Sequence, residues 1–383
     1  MRSRPVSLLA LIVTVSACGG PPASPASVDP GEPRASGGPN PSTSTVPGAA
    51  GLAGQIAFVA GADPQIHLLD LASGEHRQLT SLRPEDGTPA TAAGPMRPAL
   101  SCGFGPFGLA WSPDGSLLAF HYGGCDAVIW VVDVDGNTRR VADGTGPSWS
   151  PDGARLIFSP NRPWAPCGPG CQGQPPAPGA WDLQVVPLAG GGEPRPLTDD
   201  GATTGGYGAT WSPNGALVAF SGPSPADGAD AELFTATYVL AEDGAGRRLV
   251  ARGGWPFGWL PDGRLLVVDE QTGRMRAVDL ATTEADPIGG EVRVDAISPD
   301  GQRLLGTVAD PVTGAERGRI AELDGTTIAE LDGQAATWSP DGRWVVAIAH
   351  EAMAILVHDP DGELVARYDV SESAWAGPLS WRP

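Results

Sequence analysis

A five-residue phrase, Trp-Ser-Pro-Asp-Gly, recurs along this chain and restricts the folds that it can adopt. Complete or slightly altered copies occupy residues 111–115, 149–153, 211–215, 259–263, 297–301 and 338–342, and a truncated copy occupies 381–383. Successive copies begin between 38 and 62 residues apart. A repeat of 40 to 45 residues, with several short strands in each unit, is typical of β-propeller blades.

The residues around the phrase predict strands joined by tight turns. Pro fixes its own φ and Gly accepts a positive φ, so Pro-Asp-Gly is turn chemistry. An apolar run follows each turn, as in residues 117–120 and 154–158. No window keeps a 3.6-residue apolar period over three turns, which favours an all-β chain. The tryptophan is large enough to fill the wedge between neighbouring sheets, so we interpret it as structural.

The repeat resembles that of the TolB-like (PD40 or WD40-like) β-propeller family, over residues 54–383. The resemblance implies four-stranded antiparallel blades. TolB has an additional N-terminal α/β domain to which nothing here corresponds, so a role of TolB is not implied. We predict seven blades, with Leu379–Trp381 completing a first blade whose other strands lie in 54–80. The others are expected at 107–142, 145–198, 207–251, 255–288, 293–331 and 334–370.

The N-terminus has the features of an export signal. Residues 1–17 combine basic residues with a short apolar run, and the small residues before Cys18 resemble a bacterial lipobox. That resemblance implies a lipid on Cys18 and anchoring to the outward-facing side of the bacterial cell membrane. An ordinary signal peptide, with Cys18 incidental, is the alternative. Residues 18–52 are expected to form a flexible Pro/Gly/Ser linker and 53–383 the propeller.

Charge and cysteine content limit the partners. The chain has 24 basic and 44 acidic residues, a net charge of −20. Such a surface repels phosphate backbones, so we expect no nucleic-acid binding. The four cysteines beyond Cys18 predict two disulfides in an exported chain, Cys102–Cys125 and Cys167–Cys171. A zinc site built from these four cysteines is the alternative, but we expect neither a metal nor another cofactor.

Loop lengths indicate where a site should lie. We label the strands of each blade a to d from the inside outward. The a–b and c–d turns mark the turn end of a blade, and the b–c and d–a connections mark its loop end. All long insertions fall at the loop end, mainly in blades 1 to 4. Residues where strand a begins should form a rim there: Phe107, Thr145, Tyr207, Trp255, Arg293, Gln334 and Gly377, with Trp164 and Trp375 nearby.

The rim residues allow two interpretations, recognition of a ligand or packing between blades. We find no Gly-x-Ser-x-Gly nucleophile motif and no other familiar catalytic set. The favoured hypothesis is therefore a membrane-anchored propeller that binds a protein, a peptide or an envelope glycan. The alternative is a carbohydrate-active propeller enzyme, a lyase or glycosidase, using His121 and His350 or carboxylates such as Asp295. A purely structural envelope scaffold is the third hypothesis.

Overall fold

The structure, a computed structural model, describes residues 43–45, 52–61, 63–83, 86, 105–123, 127–160, 182–198, 207–223, 235–309, 314, 316–349, 353–370 and 379–383. These residues form strands and turns, with one short 3₁₀ turn at Ala189–Gly191 and no α-helix among them. Nothing in this part of the chain has the length and hydrophobicity of a membrane-crossing helix. The prediction of an all-β fold is therefore confirmed.

The strands are numbered in chain order. The first fourteen are β1 (Thr43–Thr45), β2 (Gln55–Ala60), β3 (Gln65–Asp70), β4 (His76–Gln78), β5 (Pro106–Trp111), β6 (Leu117–Tyr122), β7 (Val128–Asp133), β8 (Thr138–Trp149), β9 (Arg155–Pro160), β10 (Gln184–Pro187), β11 (Arg195–Pro196), β12 (Tyr207–Trp211), β13 (Leu217–Pro223) and β14 (Thr235–Ala241). The others are β15 (Arg248–Arg252), β16 (Gly254–Trp259), β17 (Leu265–Asp269), β18 (Met275–Val278), β19 (Ala285–Ile288), β20 (Arg293–Ile297), β21 (Arg303–Ala309), β22 (Glu316–Glu322), β23 (Thr327–Leu331), β24 (Gln334–Trp338), β25 (Val345–Ala349), β26 (Ala354–His358), β27 (Leu364–Asp369) and β28 (Ser380–Trp381).

Antiparallel pairing groups these strands into four-stranded blades. In order a to d the blades are β28-β2-β3-β4, β5-β6-β7-β8, β8-β9-β10-β11, β12-β13-β14-β15, β16-β17-β18-β19, β20-β21-β22-β23 and β24-β25-β26-β27. Strand β8 serves two blades, because its first half pairs with β7 and its second half with β9. Three residues from the predicted linker, Thr43–Thr45, form β1 and pair with the outer strand β27 of blade 7.

The repeated phrase forms the a–b turn and carries a hydrogen-bond network. In the second copy the Gly153 amide donates to the carbonyl of Ser150 at 2.8 Å, and Gly153 has φ of +69°. The Ser150 hydroxyl donates to Asp152 and accepts from the amide of Arg155 at 3.0 Å. Equivalent bonds are made by Ser112, Ser212, Ser298 and Ser339. The serine is thus as much a part of the turn as Pro and Gly.

Blade 5 departs from this turn. Its inner pairing joins Trp259 to Leu265, six positions apart, whereas Trp149 pairs with Leu156, seven apart. The turn is therefore one residue shorter, and the amide that a serine hydroxyl would bind has been lost. Leu260 stands at the serine position and is buried among apolar side chains of blades 5 and 6. The altered phrase thus marks a different turn rather than a weakened copy.

The motif tryptophans pack between adjacent blades. Trp149 is 8% exposed and lies in a cluster with Val131 of blade 2 and Leu156 of blade 3. Trp381 lies in a cluster with Ile56 of blade 1 and Val357 of blade 7. The wedge role predicted for these tryptophans is therefore confirmed, and with it the propeller fold.

The C-terminal strand makes the contact that ring closure requires. Trp381 pairs with Ile56 and Ser380 with Ala57, so β28 is strand a of blade 1. The Arg382 guanidinium donates to the carbonyl of Gly115 at 2.7 Å, which ties this strand to the first turn of blade 2. The number of blades and the closure of the whole ring stay predictions.

Candidate functional site

Predicted rim residues lie where expected, at the loop-end start of strand a. Phe107 lies opposite His121 in blade 2, and Trp255 lies opposite Val268 in blade 5. Arg293 lies opposite Thr307 in blade 6, and Gln334 begins strand a of blade 7. Thr145 lies opposite Ser159 in blade 3.

Several predictions fall outside the described residues. These are Cys18, the disulfide cysteines Cys102, Cys125, Cys167 and Cys171, the rim residues Trp164, Trp375 and Gly377, and His350. For Tyr207 only the backbone is described, where it begins β12. The long insertions of blades 1 to 4 also lie largely outside these residues, so the rim has to be judged from the strands themselves.

A β-bulge interrupts strand a in each of blades 2 to 7. In blades 2 to 4 the register shifts across Phe107/Ala110, Thr145/Ser148 and Tyr207/Thr210. In blades 5 to 7 it shifts across Pro256/Gly258, Val294/Ala296 and Ala335/Thr337. An extra residue on one strand re-aims the neighbouring side chains, so the residues inside the bulge determine what each blade presents.

Blades 2 to 4 absorb the bulge with glycine. Gly108, Gly146 and Gly208 have φ of +63°, +62° and +61°, in a region that residues other than glycine rarely adopt. The side chain after the glycine points into the protein: Pro147 in blade 3 and Ala209 in blade 4 are buried. These three blades therefore present little side chain beyond the first residue of strand a.

Blades 5 and 6 have the opposite orientation. Pro256 is buried at the position of the glycine, and its two neighbours Trp255 and Phe257 are 40% and 38% exposed. They are the large hydrophobic side chains that stand exposed in the described part of the chain. In blade 6 Val294 packs against the core, while Arg293 and Asp295 on either side of it face outward.

Polar side chains extend from blade 6 to blade 7 as one hydrogen-bonded cluster. Thr307 donates to Asp295 at 2.6 Å, and the other Asp295 oxygen lies 3.6 Å from Arg293 Nε. Arg293 Nη1 donates to Glu316 at 3.2 Å, and the Gln334 amide donates to the second Glu316 oxygen at 2.9 Å. We call these five residues the blade 6–7 cluster.

The cluster holds its charges in fixed positions. Arg293 lies between two carboxylates, yet its side chain remains 60% exposed, against 24% for Asp295 and 36% for Glu316. Burial raises the pKa of Asp295 above its ordinary value, against the opposing effects of the Thr307 hydrogen bond and of Arg293. A guanidinium held in this way presents donors in a defined geometry.

His121 packs between blades 2 and 3. Its ring stacks on Phe107 with centroids 5.7 Å apart, and its Nδ1 accepts from the Gly146 amide at 3.4 Å. Burial lowers the pKa of His121 to about 4, so the ring is neutral at pH 7 and a weak base. Among the described residues no group of three or more His, Cys, Asp or Glu side chains is arranged to hold a metal ion.

One concavity lies at the turn end of blade 7. It has a volume of about 480 Å³, and Arg343, Trp344, Asp359 and Glu363 contribute to its lining. The Arg343 guanidinium already covers the Trp344 ring at 5.7 Å, and Trp344 also packs against the core. Because the aromatic face is covered by the chain's own arginine, this concavity is a weaker candidate than the loop end of blades 5 and 6.

Some solved structures are similar to this chain over most of its length, at low sequence identity. TolB from Acinetobacter baumannii is 15% identical, with 86% of this chain and 67% of that chain covered and a TM-score of 0.44. Hydrazine synthase of Kuenenia stuttgartiensis is 18% identical, with coverages of 72% and 90% and a TM-score of 0.50. An oligogalacturonate lyase from Vibrio parahaemolyticus is 16% identical, with coverages of 82% and 85% and a TM-score of 0.49.

The fold is that of a β-propeller. It is shown by the four-stranded antiparallel blades, and TolB proteins are among the solved structures that are similar to the chain. No protein-family model matches the sequence, and no curated protein matches it significantly. A β-propeller is a scaffold that different sites can occupy, so function has to be argued from the loop end.

Sequence reasoning missed part of this site. It included Trp255, Arg293 and Gln334 in the rim, and it named Asp295 only as an example. Phe257, Glu316 and Thr307 were absent from the prediction. Phe257 could have been found by comparing repeats, since blade 5 has Pro256 where blades 2 to 4 have glycine. Thr307 lies on strand b and Glu316 on strand c, and only the pairing register brings them close to Arg293.

Proposed function

We propose that this chain is an exported binding propeller whose ligand contacts the loop-end starts of the inner strands of blades 5 and 6. The observation that carries the proposal is the exposure of Trp255 and Phe257 beside a blade that presents Arg293 and Asp295. The ligand is a protein, a peptide or an envelope glycan.

The exposed aromatic pair supports binding because 40% of Trp255 and 38% of Phe257 remain outside the fold. Large aromatic side chains contribute strongly when a partner buries them, and they are enriched at the centres of interfaces. Elsewhere on the inner strands, motif tryptophans such as Trp149 and Trp338 are 8% and 6% exposed. Aromatic side chains left outside the core at the loop end therefore suit a surface that a ligand completes.

The test compares immobilised wild type with the double variant Trp255→Ala/Phe257→Ala. Solubilised envelope protein and released envelope glycan are passed over each, and the retained material is compared. We expect at least one species to be retained by wild type and lost by the double variant. Arg343→Ala, at the turn end, is the control and should retain that species. Identical retention by the folded double variant would contradict the proposal.

A second candidate function is a carbohydrate-active enzyme with Asp295 as its acid. Burial raises the pKa of this carboxyl, which is the direction that a general acid requires. Glu316 lies on the far side of Arg293 and would be the second carboxylate. Product analysis of glycans incubated with wild type and Asp295→Asn tests this: cleavage abolished by the variant supports an enzyme, whereas intact glycans leave binding alone.

Export and anchoring also form part of the proposal. The propeller is secreted through residues 1–17, lipidated on Cys18 and stabilised by Cys102–Cys125 and Cys167–Cys171. Palmitate labelling of wild type and Cys18→Ser in cells tests the anchor, since only wild type should incorporate the label. Mass analysis after alkylation with and without reductant tests the disulfides. A mass increase from alkylation before reduction would rule out the two disulfides.

A further inference from the structure

We propose that the site on blades 5 and 6 recognises an uncharged saccharide, with Trp255 and Phe257 as stacking surfaces and the blade 6–7 cluster as the hydroxyl-binding surface. This inference rests on the proposed function and names its ligand class. It assigns Glu316, Gln334 and Arg293, together with the aromatic pair of blade 5, to a single site that spans blades 5 to 7.

The first argument is the mixture of donors and acceptors. Along the blade 6–7 cluster the groups alternate as carboxylate, guanidinium, carboxylate and amide. Carboxylates only accept, a guanidinium only donates, and an amide does both. A hydroxyl also does both, so vicinal hydroxyls of a sugar can bind such a row without leaving a polar group unpaired.

Charge is the second argument. The cluster sets one guanidinium against two carboxylates, and the chain as a whole carries a net charge of −20. An anionic ligand would meet a repulsive field. A cationic ligand would have to compete with Arg293, which both carboxylates already bind. An uncharged polar ligand pays neither cost.

The third argument is the position of the aromatic side chains. Blades 5 and 6 pack directly on each other, since Leu266 of blade 5 and Leu304 of blade 6 share one apolar cluster. Facing sheets pack about 10 Å apart, so equivalent positions on the two inner strands lie within the span of a short oligosaccharide. One ring can then lie on Trp255 or Phe257 while the next reaches Arg293. Sugar rings have an apolar C–H face that suits aromatic side chains.

Preorganisation supports the same ligand. The Asp295 carboxyl is held by Thr307, Arg293 by two carboxylates, and Glu316 by Gln334. Protein groups that are ordered before binding raise affinity, because less conformational entropy is lost when the ligand binds. The cluster is therefore suited to a ligand that offers many modest hydrogen bonds rather than one strong ion pair.

The experiment uses the full propeller and an array of neutral oligosaccharides that includes chitotetraose, cellotetraose and maltotetraose. An acidic hyaluronan tetrasaccharide and a hexa-arginine peptide are included as probes of charge. Hits are measured by calorimetry. We expect a neutral oligosaccharide to bind wild type, with affinity lowered at least tenfold by Trp255→Ala and by Arg293→Ala. Trp255→Phe should keep most of the affinity, because it retains an aromatic surface, and Arg343→Ala should keep all of it.

The outcomes separate this inference from the function on which it rests. If no neutral oligosaccharide shows binding that depends on Trp255, the saccharide assignment is wrong. If the hexa-arginine peptide or an envelope protein then binds in a Trp255-dependent way, the binding function stands with a different ligand. Binding of neither, with circular dichroism showing folded variants, contradicts both. Saccharide binding that survives Trp255→Ala and Arg293→Ala places the site elsewhere and also overturns the inference.

Discussion

Blades 2 to 4 and blades 5 and 6 share one repeat but begin their inner strands in opposite orientations. In the first group a glycine with positive φ takes the bulge and the next residue, such as Pro147, turns inward. In the second group Pro256 or Val294 turns inward and leaves Phe257 or Asp295 outside. The same bulge can therefore either turn side chains inward or leave them exposed at the loop end of a blade.

The two groups differ most in what a tryptophan on strand a contributes. Trp149→Ala removes a side chain that is 8% exposed between blades 2 and 3, and we expect a loss of about 3–5 kcal/mol in the free energy of unfolding. Trp255→Ala removes a side chain that is 40% exposed, so the loss should be smaller, about 1–2 kcal/mol. Urea denaturation of both variants provides the measurement. Similar losses would mean that Trp255 is a packing residue.

Acid should destabilise the first group, blades 2 to 4, because His121 becomes protonated. The folded protein binds this proton at a pKa of about 4, and the unfolded chain at about 6.5. Between these values the unfolded state binds more protons, so the stability that the neutral ring provides is complete above pH 6.5 and is lost as the pH falls towards 4. The loss is at most about 3 kcal/mol.

The matched variant for this pH effect is His121→Phe, which keeps the stacking on Phe107 and cannot titrate. Unfolding free energies measured between pH 7 and pH 4 should fall less steeply for the variant than for wild type. Because other buried histidines, such as His67, also have a lowered pKa, wild type and variant should both lose some stability. Equal slopes would show that His121 is not buried as a neutral ring.

The a–b turns of blades 3 and 5 also differ, and substitutions there should have smaller effects on stability. Ser150→Ala removes a hydroxyl that bonds both Asp152 and the Arg155 amide, with an expected cost of about 1–2 kcal/mol. Leu260→Ser restores the repeated phrase in blade 5, yet it should also destabilise, because the shorter turn has lost the matching amide and Leu260 is buried. Thermal unfolding measures both. A stabilising Leu260→Ser would show that blade 5 keeps the common turn.

A last test concerns glycines at the bulges. Gly146 has φ of +62° and open space around it, so Gly146→Ala should cost about 1–2 kcal/mol from backbone strain alone. Gly258 in blade 5 also has open space but no positive φ, so Gly258→Ala should be neutral or stabilise by up to about 1 kcal/mol. Equal effects in denaturant unfolding would mean that the two groups of blades share one bulge conformation.

Much of the fold could be predicted from the sequence because the repeat states it several times. The phrase fixes the turn, the spacing gives the blades, and the tryptophan identifies the packing between them. Leu260 shows what the repeat could not predict. It replaces the serine of the phrase in a turn that is also one residue shorter, and the pairing register reveals that shorter turn. The site was half predicted, because Trp255 and Arg293 follow from position in the repeat. The exposure of Phe257 depends on a bulge, and the contact of Glu316 with Arg293 depends on the pairing register between strands. Local sequence predicts neither of them.

The pairing of β28 with β2 determines the order in which this protein can finish folding. Ile56 is made early and its partner Trp381 much later, so the inner edge of β2 has no strand beside it until β28 has been synthesised. Contacts between such distant parts of a chain form slowly, and an unpaired strand edge invites pairing with other chains. A chain that stops before Ser380 would keep that edge permanently, and self-association rather than simple loss of one blade would be its characteristic failure.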